Sequence, residues 1–162
     1  MHPGMDRTLL DALPAPQRLA LSYAPSAARA ATLALLALDA RLGAALRQRG
    51  EPVLVQMRLA WWRDALGSKP SEWPAGEAVL EGLRGWREPR ALVALVDGWE
   101  ALLGETLDAA AIDGFACGRG EAFAQLAREL GHDPQAADAS ARVWALADLA
   151  ANLSDPAERT MA

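Results

Sequence analysis

Apolar positions recur along this chain at helical spacing and show no strand-like alternation. Leu35, Leu38, Leu42 and Leu46 fall three or four residues apart, which stacks them on one stripe of a helix. Leu36, Ala40, Gly43, Ala44 and Arg47 form a neighbouring face of the same helix. Prolines and glycines cut the pattern into segments. Helices are predicted over 6–13, closed by Pro14, and over 16–23, closed by Pro25. Ser26 is placed to N-cap a long helix through residue 48, stopped at Gly50. Pro52 suits the first turn of a helix over 52–66. The stretch "GSKPSEWPAG" reads as a loop, followed by shorter helices over 77–86 and 89–103. Asp108 is placed to cap a helix reaching residue 130, "GHDP" breaks the chain, and a last helix covers 135–153.

Two further patterns concern packing. Gly114, Gly118 and Ala122 follow at four-residue spacing, so another helix can approach them closely. In the last helix, Val143, Leu146, Ala150 and Leu153 are expected to form the apolar seam.

Composition agrees with the periodicity. The 162 residues are 52% hydrophobic and rich in Ala and Leu, strong helix formers, with few β-branched residues. An all-α fold in a single domain over 1–162 is expected. The net charge of −5 gives no electrostatic footprint for nucleic acid, so none is expected as a partner. Cys117 is the sole cysteine, which excludes an intrachain disulfide and a thiolate metal cluster. With no secretory pattern at the N-terminus, a reducing, cytoplasmic location is expected. The run "ATLALLAL" is too short to span a bilayer, and Asp39 and Arg41 follow it.

The residues with chemical potential each have a plain reading. Adjacent Trp61 and Trp62 point about 100° apart on a helix. One can therefore be buried while the other covers a neighbouring helix. Arg58 and Arg63 have the fork geometry to bind a diphosphate; the plainer expectation pairs them with Glu51 or Asp64 on a solvated face. Cys117 is expected to pack as a small apolar residue. The "GRG" at Gly118–Gly120 follows no strand and lies within a helix, so it is not a phosphate loop. His132 is expected to be exposed in a loop, without a second metal ligand in register. Asp39 stands at the edge of an apolar face. Arg41 is too near in sequence to face it, so its partner is expected from another helix.

Tyr23-Ala-Pro, a long helix that opens with Arg29, and "RLAWWRDAL" from Arg58 together resemble the squalene/phytoene synthase family, all-helical head-to-head prenyltransferases. The "FACGRGEAF" from Phe115 is similar to that family's later aromatic, Gly-rich helix. The resemblance extends from about Arg18 to Asp155, and its most specific part is 58–66. It implies a helical bundle of the isoprenoid synthase type. It also implies two acidic motifs that hold Mg²⁺ to neutralise a diphosphate leaving group. The first motif falls on Gly43, Ala44 and Arg47, where no carboxylate stands. The second aligns with "NLSDPAER", giving Asp155 and Glu158, with Pro156 placed to break the helix. The chain ends short of the usual family domain, so an incomplete C-terminus is expected.

The resemblance is closer to a branch similar to a mitochondrial complex I assembly factor, which lacks the aspartates and opens its Trp helix with Glu-Pro. It implies a divergent protein without prenyltransferase activity that binds a protein partner or an isoprenoid-like ligand. The ligand-binding residues it implies are Tyr23, Arg58, Trp62, Arg63 and Asp155. No catalytic residue, metal or cofactor is expected. Self-association is a further expectation, and peripheral membrane contact is compatible with the reading. The alternative is an active Mg²⁺-dependent prenyl diphosphate transferase of isoprenoid biosynthesis; a third reading is a helical scaffold in which "WWRDAL" is coincidental.

Overall fold

Helix α3 (Ser26–Arg47) packs against six neighbours: α1 (Pro3–Asp11), α2 (Ala15–Tyr23), α4 (Pro52–Gly67), α5 (Ala78–Leu83), α6 (Val93–Ala101) and α7 (Ala109–Leu130). Helix α8 (Pro134–Asn152) completes the set and lies along α7. This is a computed structural model, and it describes residues 3–47, 51–104 and 107–153. Among the described residues there is no strand, as the helical periodicity requires. Gln48 and Gly50, named above at the end of the long helix, lie outside the described residues.

The sequence of α3 explains its central place. Every residue from Leu33 to Asp39 is buried, so nearly two turns are enclosed on all sides. The helix is apolar all round there, beyond the single stripe expected. Ser26 is its first helical residue, not its cap; the Ala28 and Arg29 N–H groups bond the Pro25 carbonyl at 2.9 and 3.1 Å. One buried cluster takes a residue from each helix, among them Leu9, Leu21, Leu35, Leu59, Leu80, Leu95, Phe115 and Ala145. Burying each leucine is worth about 1.5–3 kcal/mol.

Small residues set the closest crossings. A Cβ on Gly118 would collide with the Ala94 carbonyl oxygen, and one on Gly98 would sit 3.2 Å from the Gly114 carbonyl oxygen. The backbones of α6 and α7 thus nearly touch, as the four-residue spacing of small residues predicts. Gly131 ends α7 at φ 74°, the left-handed conformation glycine supplies cheaply. Asp133 then caps α8 by accepting from Gln135 N–H, and Pro134 fills its first turn. The short turn makes α7 and α8 a helical hairpin.

The seam of α8 differs from expectation. Ala141 and Ala145 are its buried residues, while Val143 is 69% exposed and Leu146 only partly covered. The reason lies on α7. A Cβ on Gly120 would stand 2.9 Å from Cγ of Arg142, so the side chains of Arg142 and Asp138, and not that of Val143, lie over this part of α7. The segments after α4 are also more broken than expected. Residues 89–92 form a 3₁₀ turn before α6 begins, and α5 spans only Ala78–Leu83, with Gly85 just beyond it. Within the loop, Trp73 is buried; its indole N–H donates to the Ala65 carbonyl at 2.6 Å, and the Arg84 guanidinium lies 5.9 Å from its ring centroid.

Candidate functional site

The most polar point of the interior lies where α3, α6, α7 and α8 meet. Asp39 and Arg119 are each 1% exposed. One Arg119 nitrogen donates to both Asp39 oxygens at 3.0 and 3.3 Å, and another donates to Asp148 at 3.0 Å. The Trp99 indole N–H donates to Asp39 at 2.8 Å. Aromatic rings wall in the guanidinium: its carbon lies 4.1 Å from the Trp144 centroid and 4.6 Å from that of Phe115. This is a desolvated cation–π arrangement. Asp39 thus finds its partner on another helix, as expected. Burial pushes its carboxyl above the ordinary carboxylate range; the Arg119 charge and the hydrogen bonds from Trp99 and Arg119 pull it back, and Asp148 adds to the rise.

Gly43, Ala44 and Arg47, the positions on which the sequence resemblance puts a first acidic motif, lie one turn further along α3. A Cβ on Gly43 would stand 2.9 Å from the edge of the Trp99 ring and 3.0 Å from an Arg47 nitrogen. The space into which a first carboxylate would project is therefore filled by the indole. Ala44 lines a surface cleft instead, and Arg47 is exposed. Among the described residues no three of His, Cys, Asp and Glu are grouped to hold a metal ion.

The surface cleft lies between α3, α4 and the residues before α5. It encloses about 340 Å³ and is lined by Arg41, Ala44, Arg58, Trp61, Trp62 and Glu77, with Ala45 at its base. Trp62 is 7% exposed and Trp61 is 43% exposed. Their rings meet edge to face, 4.8 Å between centroids and 81° between planes. The buried set on α4 is Val55, Leu59, Trp62 and Leu66. That leaves Val53, Leu54, Met57 and Trp61 as a continuous exposed apolar row on the opposite face.

A second concavity, about 320 Å³, opens between α2, α3, α7 and α8. Leu21, Leu36, Phe123 and Trp144 make it apolar, and Thr32 and Gln17 supply its polar atoms. The side-chain oxygen of Gln17 is buried without a hydrogen-bond partner. Phe123 and Trp144 meet edge to face with centroids 5.5 Å apart, a wall formed across the α7–α8 hairpin.

The structure brings Arg58 and Trp62 together in the cleft under α4. Arg63 points elsewhere, to Asp97 and Glu100 on α6, with Asp97 at 2.6 Å. Hydrogen bonds to Glu100 and then Asp97 hold its guanidinium above the ordinary value. The expected local partners Glu51 and Asp64 are not the ones it takes. Tyr23 stands at the end of α2, 83% exposed and lining neither concavity. Asp155, Pro156 and Glu158 lie outside the described residues. Cys117 has polar company that the apolar reading did not foresee: an Arg142 nitrogen lies 2.7 Å from its sulfur and an Asp113 oxygen 3.7 Å away. His132 is exposed, as expected.

Two features escaped the sequence reading. Arg119 was hidden inside "GRG", and the only local signal was a cation set among Phe, Ala, Cys and Gly. The α2–α8 groove gave no signal at all, because its walls come from four helices. No described helix is long and apolar enough to cross a membrane. No protein-family model matches the chain, and no curated protein or solved structure matches it either.

Proposed function

We propose that this chain is a divergent squalene/phytoene synthase-like protein that works by binding and does not transfer prenyl groups. The observation that carries the reading is the Trp99 ring beside Gly43, with Asp39 drawn into the core by Arg119 and Trp99. A head-to-head prenyltransferase needs a cavity and Mg²⁺-binding carboxylates there. This chain has a packed aromatic ring and a spent carboxylate.

The binding surface best supported is the exposed face of α4. Val53, Leu54, Met57 and Trp61 form an apolar row beside the cleft of Arg41 and Arg58. Apolar rows of this kind, rimmed by charge, mark protein contacts. An apolar helix of a protein partner, or the same face of a second copy, fits such a row. A second reading, the isoprenoid-like ligand, is favoured by the α2–α8 groove: it is apolar, falls in the size range of ligand sites and ends on the unpartnered Gln17 oxygen. The location proposed is cytoplasmic.

The test is an incubation of the purified chain with farnesyl diphosphate, geranylgeranyl diphosphate and Mg²⁺, following release of inorganic diphosphate. No release above the protein-free control is expected. Sustained, protein-dependent release would make the active prenyltransferase the correct reading.

A further inference from the structure

Among the described residues, six arginines pair with a carboxylate: Arg41, Arg63, Arg84, Arg87, Arg119 and Arg142. Arg7, Arg18 and Arg29 pair with none among those residues, and, unlike the scattered Arg47, Arg90 and Arg128, they share one cleft. Arg7 of α1, Arg18 of α2 and Arg29 of α3 line a concavity of about 600 Å³, and no described residue lining it is acidic. Arg18 and Arg29 are already oriented. Arg18 donates to the Leu13 carbonyl at 2.9 Å, and Arg29 to the Ala24 carbonyl at 3.1 Å. Neutral carbonyls hold these guanidinium groups in place without cancelling their charge. A guanidinium has five N–H donors, so each keeps others for a ligand.

The gathering is notable in a chain of net charge −5. Three like charges around one cleft repel one another, and an anion among them removes that repulsion. The floor of the cleft has the opposite character. Leu21 and Leu33 are buried core residues, and Leu10 packs against the same core. The hydroxyls of Ser22 and Ser26 also line it. Ser26 opens the 22-residue helix α3, whose positive end adds to the field.

We infer that this cleft binds an amphiphilic anion: a phosphate-type head held by Arg7, Arg18 and Arg29, with a hydrocarbon tail along Leu10, Leu21 and Leu33. The arginines take the head because guanidinium groups match phosphate oxygens in pairs. The tail lies on Leu10, which the core covers only in part, and on the edges of Leu21 and Leu33 that reach the cleft. The volume lies within the range of small-ligand sites. Such a molecule reaches the cleft as a free amphiphile or as the headgroup of an anionic lipid. The site involves no metal, which separates it from the Mg²⁺-dependent affinity that would overturn the non-catalytic reading.

The experiment is calorimetric titration of the whole chain in EDTA, with micromolar n-decyl phosphate, n-decanol and inorganic phosphate as probes. Decyl phosphate is expected to bind at least tenfold more tightly than either fragment, and Arg18→Gln/Arg29→Gln is expected to lower that affinity at least tenfold. Because those two side chains also hold backbone carbonyls, Arg7→Gln serves as a variant that leaves both bonds in place, and a several-fold loss is expected from it. Co-sedimentation with phosphatidylcholine vesicles, with and without phosphatidic acid, identifies the source. Arginine-dependent binding to the anionic vesicles, with or without monomer binding, assigns a lipid headgroup; monomer binding alone assigns a free amphiphile. The inference is overturned if neither decyl phosphate nor anionic vesicles bind, if inorganic phosphate binds as well as decyl phosphate, or if the folded variants bind like the wild type.

Discussion

The indole of Trp99 does two things to α3 at once: its N–H donates to Asp39 at 2.8 Å, and its ring edge occupies the space a side chain at Gly43 would need. One residue of α6 thus holds a carboxylate in the core and fills the space beside Gly43. The same carboxylate is shared with Arg119, so α3, α6, α7 and, through Asp148, α8 meet at one polar point.

Removing one member of that group leaves buried charge uncompensated. Arg119→Ala is expected to cost about 3–5 kcal/mol, the range for breaking a buried pair. Asp39→Leu/Arg119→Met is expected to cost clearly less than the sum of its single variants, because apolar residues carry no stranded charge. Urea denaturation of wild type, Asp39→Leu, Arg119→Met and the double variant gives the coupling directly. Additive losses would contradict it.

Asp39 also fixes a pH dependence. Its carboxyl is raised in the folded protein, chiefly by burial. The folded state therefore holds this proton more tightly than the unfolded chain does, and its contribution to stability falls as pH rises from about 4, the ordinary carboxylate value. Asp39→Asn removes that slope. The stability deficit of Asp39→Asn relative to wild type is expected to be larger near pH 4 than at pH 7. Denaturant titrations of both proteins at the two pH values check it; a deficit that grows toward pH 7 would be the wrong sign.

Two glycines should respond oppositely to alanine. Gly118 lies against the Ala94 carbonyl oxygen, so Gly118→Ala must push α6 and α7 apart, an overpacking cost of about 1–3 kcal/mol. Gly67, the last residue of α4, has nothing within 4 Å of where its Cβ would be. Gly67→Ala is expected to be neutral or to stabilise by up to about 1 kcal/mol. Thermal melts of the two variants decide it.

Trp61→Glu changes an exposed residue whose neighbour Trp62 keeps the core contact. Its effect on monomer stability is expected to be small, while any self-association or partner binding through α4 is lost. Sedimentation equilibrium of wild type and variant at high concentration reads this for the homo-oligomer. An associating wild type matched by an equally associating Trp61→Glu would remove the α4 face from the account.

Much of the helical framework was legible because Pro14, Pro25, Pro52, Asp108 and Asp133 punctuate it with local chemistry that tertiary contacts do not override. The need of Asp39 for a partner on another helix was legible too, since an acid on an apolar face has few local options. Arg119 was not. An arginine between two glycines looks like a surface cation until Gly98, Gly114, Gly118 and Gly120 are seen to draw α6 and α8 in around it. The seam of α8 was misread too: Val143 has the bulk of a core residue but faces outward, while Ala141 and Ala145 are the buried positions and Arg142 lies against Gly120. The partners of Arg63 lie on α6, and no local spacing announces them. The cleft of Arg7, Arg18 and Arg29 draws on three helices and could only be read in three dimensions.

On the proposed non-catalytic reading, the α3 surface at Gly43, packed by the Trp99 ring, holds no Mg²⁺–diphosphate. Calorimetric titration of the purified chain with farnesyl diphosphate, once in Mg²⁺ and once in EDTA, decides it. Binding no tighter in Mg²⁺ than in EDTA is expected, since Mg²⁺ can only compete with the arginine cleft for the diphosphate. A micromolar affinity that appears with Mg²⁺ and vanishes with EDTA would contradict it.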